Sequence, residues 1–308
     1  MGWTSTARVS PDGHSAPSSH RRLASTALRP RRATGRAGLR PGTDRVQLAA
    51  RSATGAQLVT APQDAAPQDP APQDPARKFD ASRAGEYEQQ SRIALAGYEA
   101  CHELAACMLA AALGPGRAAR ILVAGAGGGA REIVTAAALE PRWRFTAVDP
   151  SEPMLALAVA RLKEKDLDER TEVLRGTVAD LPEDEAFDAA TLIGVLHHLA
   201  GDEAKRAILR DIARRLAPDA PLILAGNHQA YANQPLLLAA WGERWRQQGA
   251  GPDEVEAKRA KILQGADPPP SEQAVADLLR EGGFGPPLRF FSSLFWGAWI
   301  ARRAPDAP

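Results

Sequence analysis

The sequence is poor in cysteine, has no long apolar run and carries almost no net charge. Its two cysteines, Cys101 and Cys107, stand six apart in a stretch of helical pattern. They therefore face different ways, which fits neither a metal pair nor a disulfide, and a reduced, cytoplasmic setting is expected. No stretch reaches the ~18 consecutive apolar residues of a transmembrane candidate. No apolar h-region follows the N-terminus, which argues against a secretory signal. The six histidines show no HExxH or comparable spacing, so no metal site is expected.

The net charge of +1 conceals an uneven distribution. Residues 1–77 hold eleven basic and five acidic side chains, leaving the remainder mildly acidic. That remainder does not suit direct nucleic-acid binding. Residues 1–77 also lack any apolar run at helical or strand spacing, so they cannot bury enough surface to offset their ordering entropy. They read as a disordered Arg/Pro/Ala-rich tail ending in a threefold APQD repeat, a semi-extended linker. The arginines Arg21, Arg22, Arg29, Arg31, Arg32, Arg36 and Arg40 admit two readings: an organelle transit peptide or an unstructured extension. Residues 78–308 suffice for one sizeable core.

Within that domain, Ala84 to Leu113 has helical spacing and is stopped by Gly114-Pro115-Gly116. An alternating pattern follows. Strands are predicted at Arg120–Ala124, Arg144–Val148, Glu172–Leu174, Ala189–Val195 and Pro221–Ala225. Helices are predicted after the first glycines through Ala138, at Glu152–Lys165 and at Asp202–Leu216. Such alternation predicts a doubly wound α/β fold with a mostly parallel sheet. From about 227 to 283 the pattern becomes mainly helical, as for a lid insertion. Two adjoining strands then close the chain, at Pro287–Phe295 and Trp296–Arg302, which requires one antiparallel strand at or near the sheet edge.

The turn Gly125-Ala126-Gly127-Gly128-Gly129-Ala130 lies where a strand feeds a helix. Glycines permit positive φ and close backbone approach to a ligand, and the helix N-terminus adds amide donors. Asp149 ends the second strand about 20 residues on, where a carboxylate can accept both ribose hydroxyls of a bound nucleotide. Each feature has a bland alternative: a tight turn without ligand, and a helix N-cap formed by Asp149 ahead of Pro150-Ser151.

Five segments resolve the ambiguity: ILVAGAGGG (121–129), FTAVDPSEPML (145–155), RGTVADLP (175–182), FDAATLIGVLHHL (187–199) and LRDIARRLAPDAPLILAG (209–226). In this order and spacing they resemble the class I S-adenosylmethionine (SAM)-dependent methyltransferases, over about residues 84–303. The resemblance implies a Rossmann-like methyltransferase fold, with a seven-stranded sheet and a reversed last strand. It assigns Gly125, Gly127 and Gly129 to the methionine and ribose side of SAM, and Asp149 to the ribose hydroxyls. It puts Pro150 and Met154 beside the adenine, Ala179 and Asp180 at the adenine ring and amino group, and Ile193 and Gly194 beneath the sulfonium. The chain departs from the pattern at Val123, where the family usually has an acidic residue that orients the methionine end. Arg92, Tyr98 or His102 on the leading helix are the alternatives for that task. The segments ALAGYEACHELAACML, DEVEAKRAKIL and LRFFSSLFWGAWIARR are more loosely similar to carboxy-SAM synthases of tRNA wobble-uridine modification.

A small-molecule acceptor is expected under the lid. Asn227, His228, Tyr231 and Asn233 come directly off the fifth strand, followed by Trp241, Arg244 and Trp245, then Lys258 and Arg259. Aromatic rings shelter a sulfonium by cation–π attraction, although Trp241 and Trp245 at i, i+4 equally suit a packing face. Tyr231 and Asn227 are the leading candidates. His197, with His198 at the end of the fourth strand, is a candidate general base; its alternative role is structural. The expected activity is methylation of a small molecule. One alternative is cyclisation of SAM to azetidine-2-carboxylate with release of methylthioadenosine. Others are carboxy-SAM chemistry and a non-enzymatic SAM-binding module. A nicotinamide dehydrogenase would leave the 175–182 and 187–199 segments unexplained.

Overall fold

A computed structural model describes residues 81–183 and 186–305; the expected tail over 1–77 and its APQD linker lie outside the described residues. The order is α1 (Ala81–Ala94), α2 (Tyr98–Leu113), β1 (Ala119–Ala124), α3 (Arg131–Leu139), β2 (Trp143–Asp149), α4 (Glu152–Glu164), β3 (Thr171–Arg175), β4 (Ala189–Ile193) and α5 (Gly201–Arg215). It continues with β5 (Pro221–Asn227), α6 (Pro235–Gln247), α7 (Pro252–Gly265), α8 (Glu272–Glu281), β6 (Leu288–Ser293) and β7 (Trp296–Arg302).

The strands form one seven-stranded sheet in the order β3-β2-β1-β4-β5-β7-β6. β1 to β5 are mutually parallel, and β7 runs antiparallel to both β5 and β6. Every residue of β4 and β5 is buried, as expected of central strands covered on both faces. One apolar layer joins α2, α3 and α4 to the sheet, and the other joins α5 and α8 to it. Strand order reverses between β1 and β4, and a crevice at such a switch point, beyond the strands' carboxyl ends, is where ligands of this architecture bind.

The single helix expected over 84–113 is instead two helices, bent by 86° at their junction. Gly97 takes φ +85° there, a conformation that costs glycine little, and Leu95 is driven into the core. Tertiary contacts stabilise the break. The indole N–H of Trp241 donates to the Ala94 carbonyl (2.8 Å), and Arg244 donates to the carbonyls of Ile93 (3.1 Å) and Arg92 (3.0 Å). These carbonyls end α1 and have no intrahelical partner. Among the described residues no single helix is long and apolar enough to cross a membrane.

A second long-range tie fixes the lid. The Lys205 ammonium is buried, 2.7 Å from the Asp267 carboxylate and 3.2 Å from the Gly201 carbonyl. Asp267 also accepts the Gly201 N–H (2.8 Å), and its own N–H donates to the His197 carbonyl (2.9 Å). One residue thus links the end of the lid to α5 and to the turn after β4. Removing the carboxylate leaves a buried ammonium short of a partner, which is strongly destabilising in a closed interior. Asp267 itself is half-exposed, which tempers the effect. Asp267→Ala is expected to lower stability by about 2 kcal/mol in a urea titration.

Candidate active site

The glycine turn leaves β1 with the Gly125 and Ala126 amides on the Val148 carbonyl (2.8 and 3.2 Å). Gly125 and Gly128 take φ +77° and +74°. The turn is hemmed in on three sides. A Cβ at Gly125 would lie 2.2 Å from Val195 Cγ2, and one at Gly127 would lie 2.8 Å from Asp149 Oδ2 and 2.9 Å from Met154 Cε. One at Gly128 would lie 2.6 Å from Tyr87 Cδ1. Close approach therefore requires glycine here, while Gly129 faces Glu88 at 3.7 Å.

Asp149 accepts the Ser151 N–H at Oδ1 (2.8 Å) and the Gly127 N–H at Oδ2 (3.1 Å). It is not the N-cap of α4, since Ser151 fills that place and accepts the Met154 N–H. Burial raises the Asp149 pKa above the usual carboxylate value, and the two amides only partly oppose this. The carboxylate holds the glycine turn against the end of β2, where a ribose diol would meet it.

Met154 is buried against that turn and Pro150 is half-buried beside Asp149. Ala179 and Asp180 form a single helical turn after β3. The Asp180 carboxylate is exposed and accepts the Thr177 N–H (2.7 Å) and hydroxyl (2.9 Å), which lower its pKa. The Ala179 carbonyl is taken by Arg215 (2.9 Å). Ile193, at the end of β4, is buried, and Gly194 follows it at φ +76°.

Val123, on β1 ahead of the glycine turn, is buried and uncharged. Arg92 is already neutralised by Glu88 and Glu99, at 2.6 Å each, and lies 5.1 Å above the Tyr98 ring. Tyr98 is buried, and burial raises its pKa. His102 Nδ1–H donates to the Tyr98 carbonyl (2.8 Å), while burial depresses its pKa and keeps the ring neutral.

Beside the glycine turn, under α6 and α7, lies a cavity of about 510 Å³. Its walls bring together three expected residues, His197, Asn227 and Tyr231. Asn227 Nδ2 donates to the Tyr231 hydroxyl (2.7 Å), and burial raises that hydroxyl's pKa. Asn227 Oδ1 has no hydrogen-bond partner among the described residues. The His197 ring packs on His198 (4.2 Å) and edge-on to Trp296 (5.5 Å). Trp241 and Trp245 pack below the surface, as a packing face would, and also line the cavity. Lys258 lines it too, 4.6 Å from the Trp245 ring centre and paired with Glu254. His228 points elsewhere, bonded to the Phe295 carbonyl and packed on Trp299. Arg244 serves the end of α1, and Arg92, Tyr98, Asn233 and Arg259 stand outside the cavity wall.

Three important residues escape a reading of the sequence: Tyr87, Trp296 and Asp267. Tyr87 touches the glycine turn at Gly128, faces Gly194 and lines the acceptor cavity, so it stands where the two compartments adjoin. Its only sequence signal is an aromatic among polar residues. Among the described residues no group of three or more His, Cys, Asp or Glu side chains could hold a metal. Cys101 and Cys107 are free, one buried and one exposed.

Residues 121–219 match the family of methyltransferase domains. No curated protein matches the chain. Among solved structures, human N-acetylserotonin methyltransferase in complex with SAM is similar at a TM-score of 0.51 and 15% identity, covering 73% of this chain and 57% of that one. Mitomycin 7-O-methyltransferase is similar at 0.51 and 21%, covering 74% and 59%. A Nostoc punctiforme protein provisionally assigned as an O-methyltransferase gives 0.52 and 13%, covering 76% and 62%. At these identities the likeness is one of fold, and the chain spans less than two thirds of each neighbour's length. Residues 121–219 thus match a methyltransferase domain, and the fold is shared with a methyltransferase solved in complex with SAM.

The residues at the glycine turn fit SAM: the turn is a cradle that any Cβ at Gly127 would fill, and the Asp149 carboxylate stands beside it, able to accept a hydroxyl pair.

Proposed function

We propose that this protein transfers the methyl group of SAM to a hydroxyl of a small-molecule acceptor bound in the 510 Å³ cavity. The observation that carries the proposal is the adjacency of the two compartments through Tyr87 and Gly194. An aromatic-walled chamber of this size takes a drug-sized molecule. A nucleophile held there is brought to the side of the sulfonium methyl.

In this reading Gly125, Gly127, Gly129 and Asp149 hold the ribose and methionine side, Pro150, Met154, Ala179 and Asp180 receive the adenine, and Ile193 with Gly194 forms the floor. Arg92 and Tyr98 form the outer wall at the methionine end. SAM supplies an activated methyl group on a sulfonium leaving group. The protein's main contribution is alignment, since in-line geometry alone removes much of a bimolecular barrier. Asn227 Oδ1, which has no hydrogen-bond partner among the described residues, accepts from a second donor group of the acceptor and leaves the reacting O–H to face His197, while Tyr231 holds Asn227 in place. His197 takes the proton as the new O–CH₃ bond forms and the S–CH₃ bond breaks, leaving S-adenosylhomocysteine. The neighbours named above for O-methylation support the choice of oxygen, and the aromatic walls support a flat acceptor.

The test uses methyl-labelled SAM with a panel of hydroxylated aromatics and matching amines and thiols. Label on oxygen is the expected result; label confined to nitrogen or sulfur products contradicts the assignment.

A further inference from the structure

Glu132 has no role in the chemistry above, yet it stands on the first turn of α3, two residues past the glycine turn. Its side chain is only 11% exposed. Among the described residues the one basic side chain within 4.0 Å of its carboxylate is His102, at 4.0 Å, and burial keeps that imidazole neutral. It shares a small cavity with Val123 and His102, so β1 adds no charge there. Its field reaches Tyr87, Tyr98 and Cys101, and the Asp149 carboxylate on β2 acts on it in turn. None of these supplies a positive charge, and the neighbouring Arg131, whose charge acts on His102 and Glu99, makes no ion pair with the Glu132 carboxylate.

A largely buried carboxylate without a cation is costly, and folded proteins rarely keep one without a use. Burial, with added repulsion from Asp149, pushes its pKa up to about 7. A cationic ligand group would restore the balance. SAM has two, the sulfonium and the α-ammonium. The sulfonium belongs on the acceptor side, by Gly194 and the aromatic cavity. Glu132 lies on the other side, beneath α2.

We propose that Glu132 binds the α-ammonium of the methionine moiety and so fixes the end of the co-substrate remote from the transferred methyl. The assignment rests on SAM as co-substrate, and the test separates the two claims. Binding of SAM, S-adenosylhomocysteine and 5′-methylthioadenosine is measured by calorimetry for the wild type and Glu132→Gln. The first two ligands share the ammonium, only the first has a sulfonium, and the third lacks the amino-acid portion. The expected result is a parallel loss of about tenfold for SAM and S-adenosylhomocysteine, because a charge-assisted hydrogen bond becomes neutral. Methylthioadenosine affinity stays unchanged, and the free variant melts no lower than wild type.

A loss confined to SAM assigns Glu132 to the sulfonium and overturns the proposal. An equal loss for all three ligands, no loss for any, or a lower melting temperature of the free variant also overturns it. A wild-type chain that binds neither SAM nor S-adenosylhomocysteine removes the co-substrate assignment itself.

Discussion

His197→Ala is expected to lower turnover by at least about 100-fold while leaving SAM affinity unchanged. General-base assistance is worth roughly 10²–10⁴-fold when the base is placed at the departing proton. His197 lines the acceptor cavity, and its ring is fixed by packing on His198 and Trp296. The residues proposed for the ribose and adenine, Asp149, Met154 and Asp180 among them, lie on other elements, so the SAM dissociation constant serves as the internal control. Because alanine opens a hole beside Trp296, His197→Gln is the companion variant; it retains bulk and hydrogen bonding but not basicity. Equal loss in both variants, with the alkaline plateau of the wild-type pH profile abolished, identifies a proton acceptor. Near-normal turnover in His197→Gln would mean that the ring only packs.

Asp149→Ala is expected to weaken SAM binding on the order of 100-fold without unfolding the domain. A carboxylate accepting from two ribose hydroxyls makes charge-assisted bonds of about 1.5–3 kcal/mol each, and part of that is lost to water in the variant. Asp149 has a second task, since it also accepts the Gly127 amide and holds the glycine turn. Asp149→Asn keeps one acceptor oxygen and the volume, so its loss is smaller, about tenfold. The fold survives because the N-terminus of α4 is capped by Ser151 and β2 remains paired on both sides. Calorimetry with SAM and a thermal melt of the free protein check both parts. Unchanged affinity would place the ribose elsewhere.

The parts of this arrangement visible in the sequence are those set by local pattern. Apolar runs such as Ile121-Leu122-Val123 and Leu222-Ile223-Leu224 announce central strands because both sheet faces are covered. The glycine turn and Asp149 are readable because backbone conformation and strand-end position restrict the residue types allowed. The break between α1 and α2 is hidden. The helical pattern runs through Leu95 and Gly97, and the partners that stabilise the break, Trp241 and Arg244, lie about 150 residues away. Tyr87, Trp296 and Asp267 are hidden for the same reason, since each gains its role from tertiary placement. The N-cap alternative for Asp149 fails because Ser151 can cap α4 while Asp149 reaches across to Gly127. At Val123 the pattern shows a missing charge, but only the packing of α3 against α2 brings Glu132 into the same pocket.

The most direct test of methyl transfer is to incubate the protein with SAM, alone and with hydroxylated aromatic acceptors, and to resolve the products by mass spectrometry. The account predicts that SAM alone stays intact, and that a competent acceptor yields S-adenosylhomocysteine and the O-methylated product in equal amounts. Methylthioadenosine with azetidine-2-carboxylate from SAM alone would contradict it.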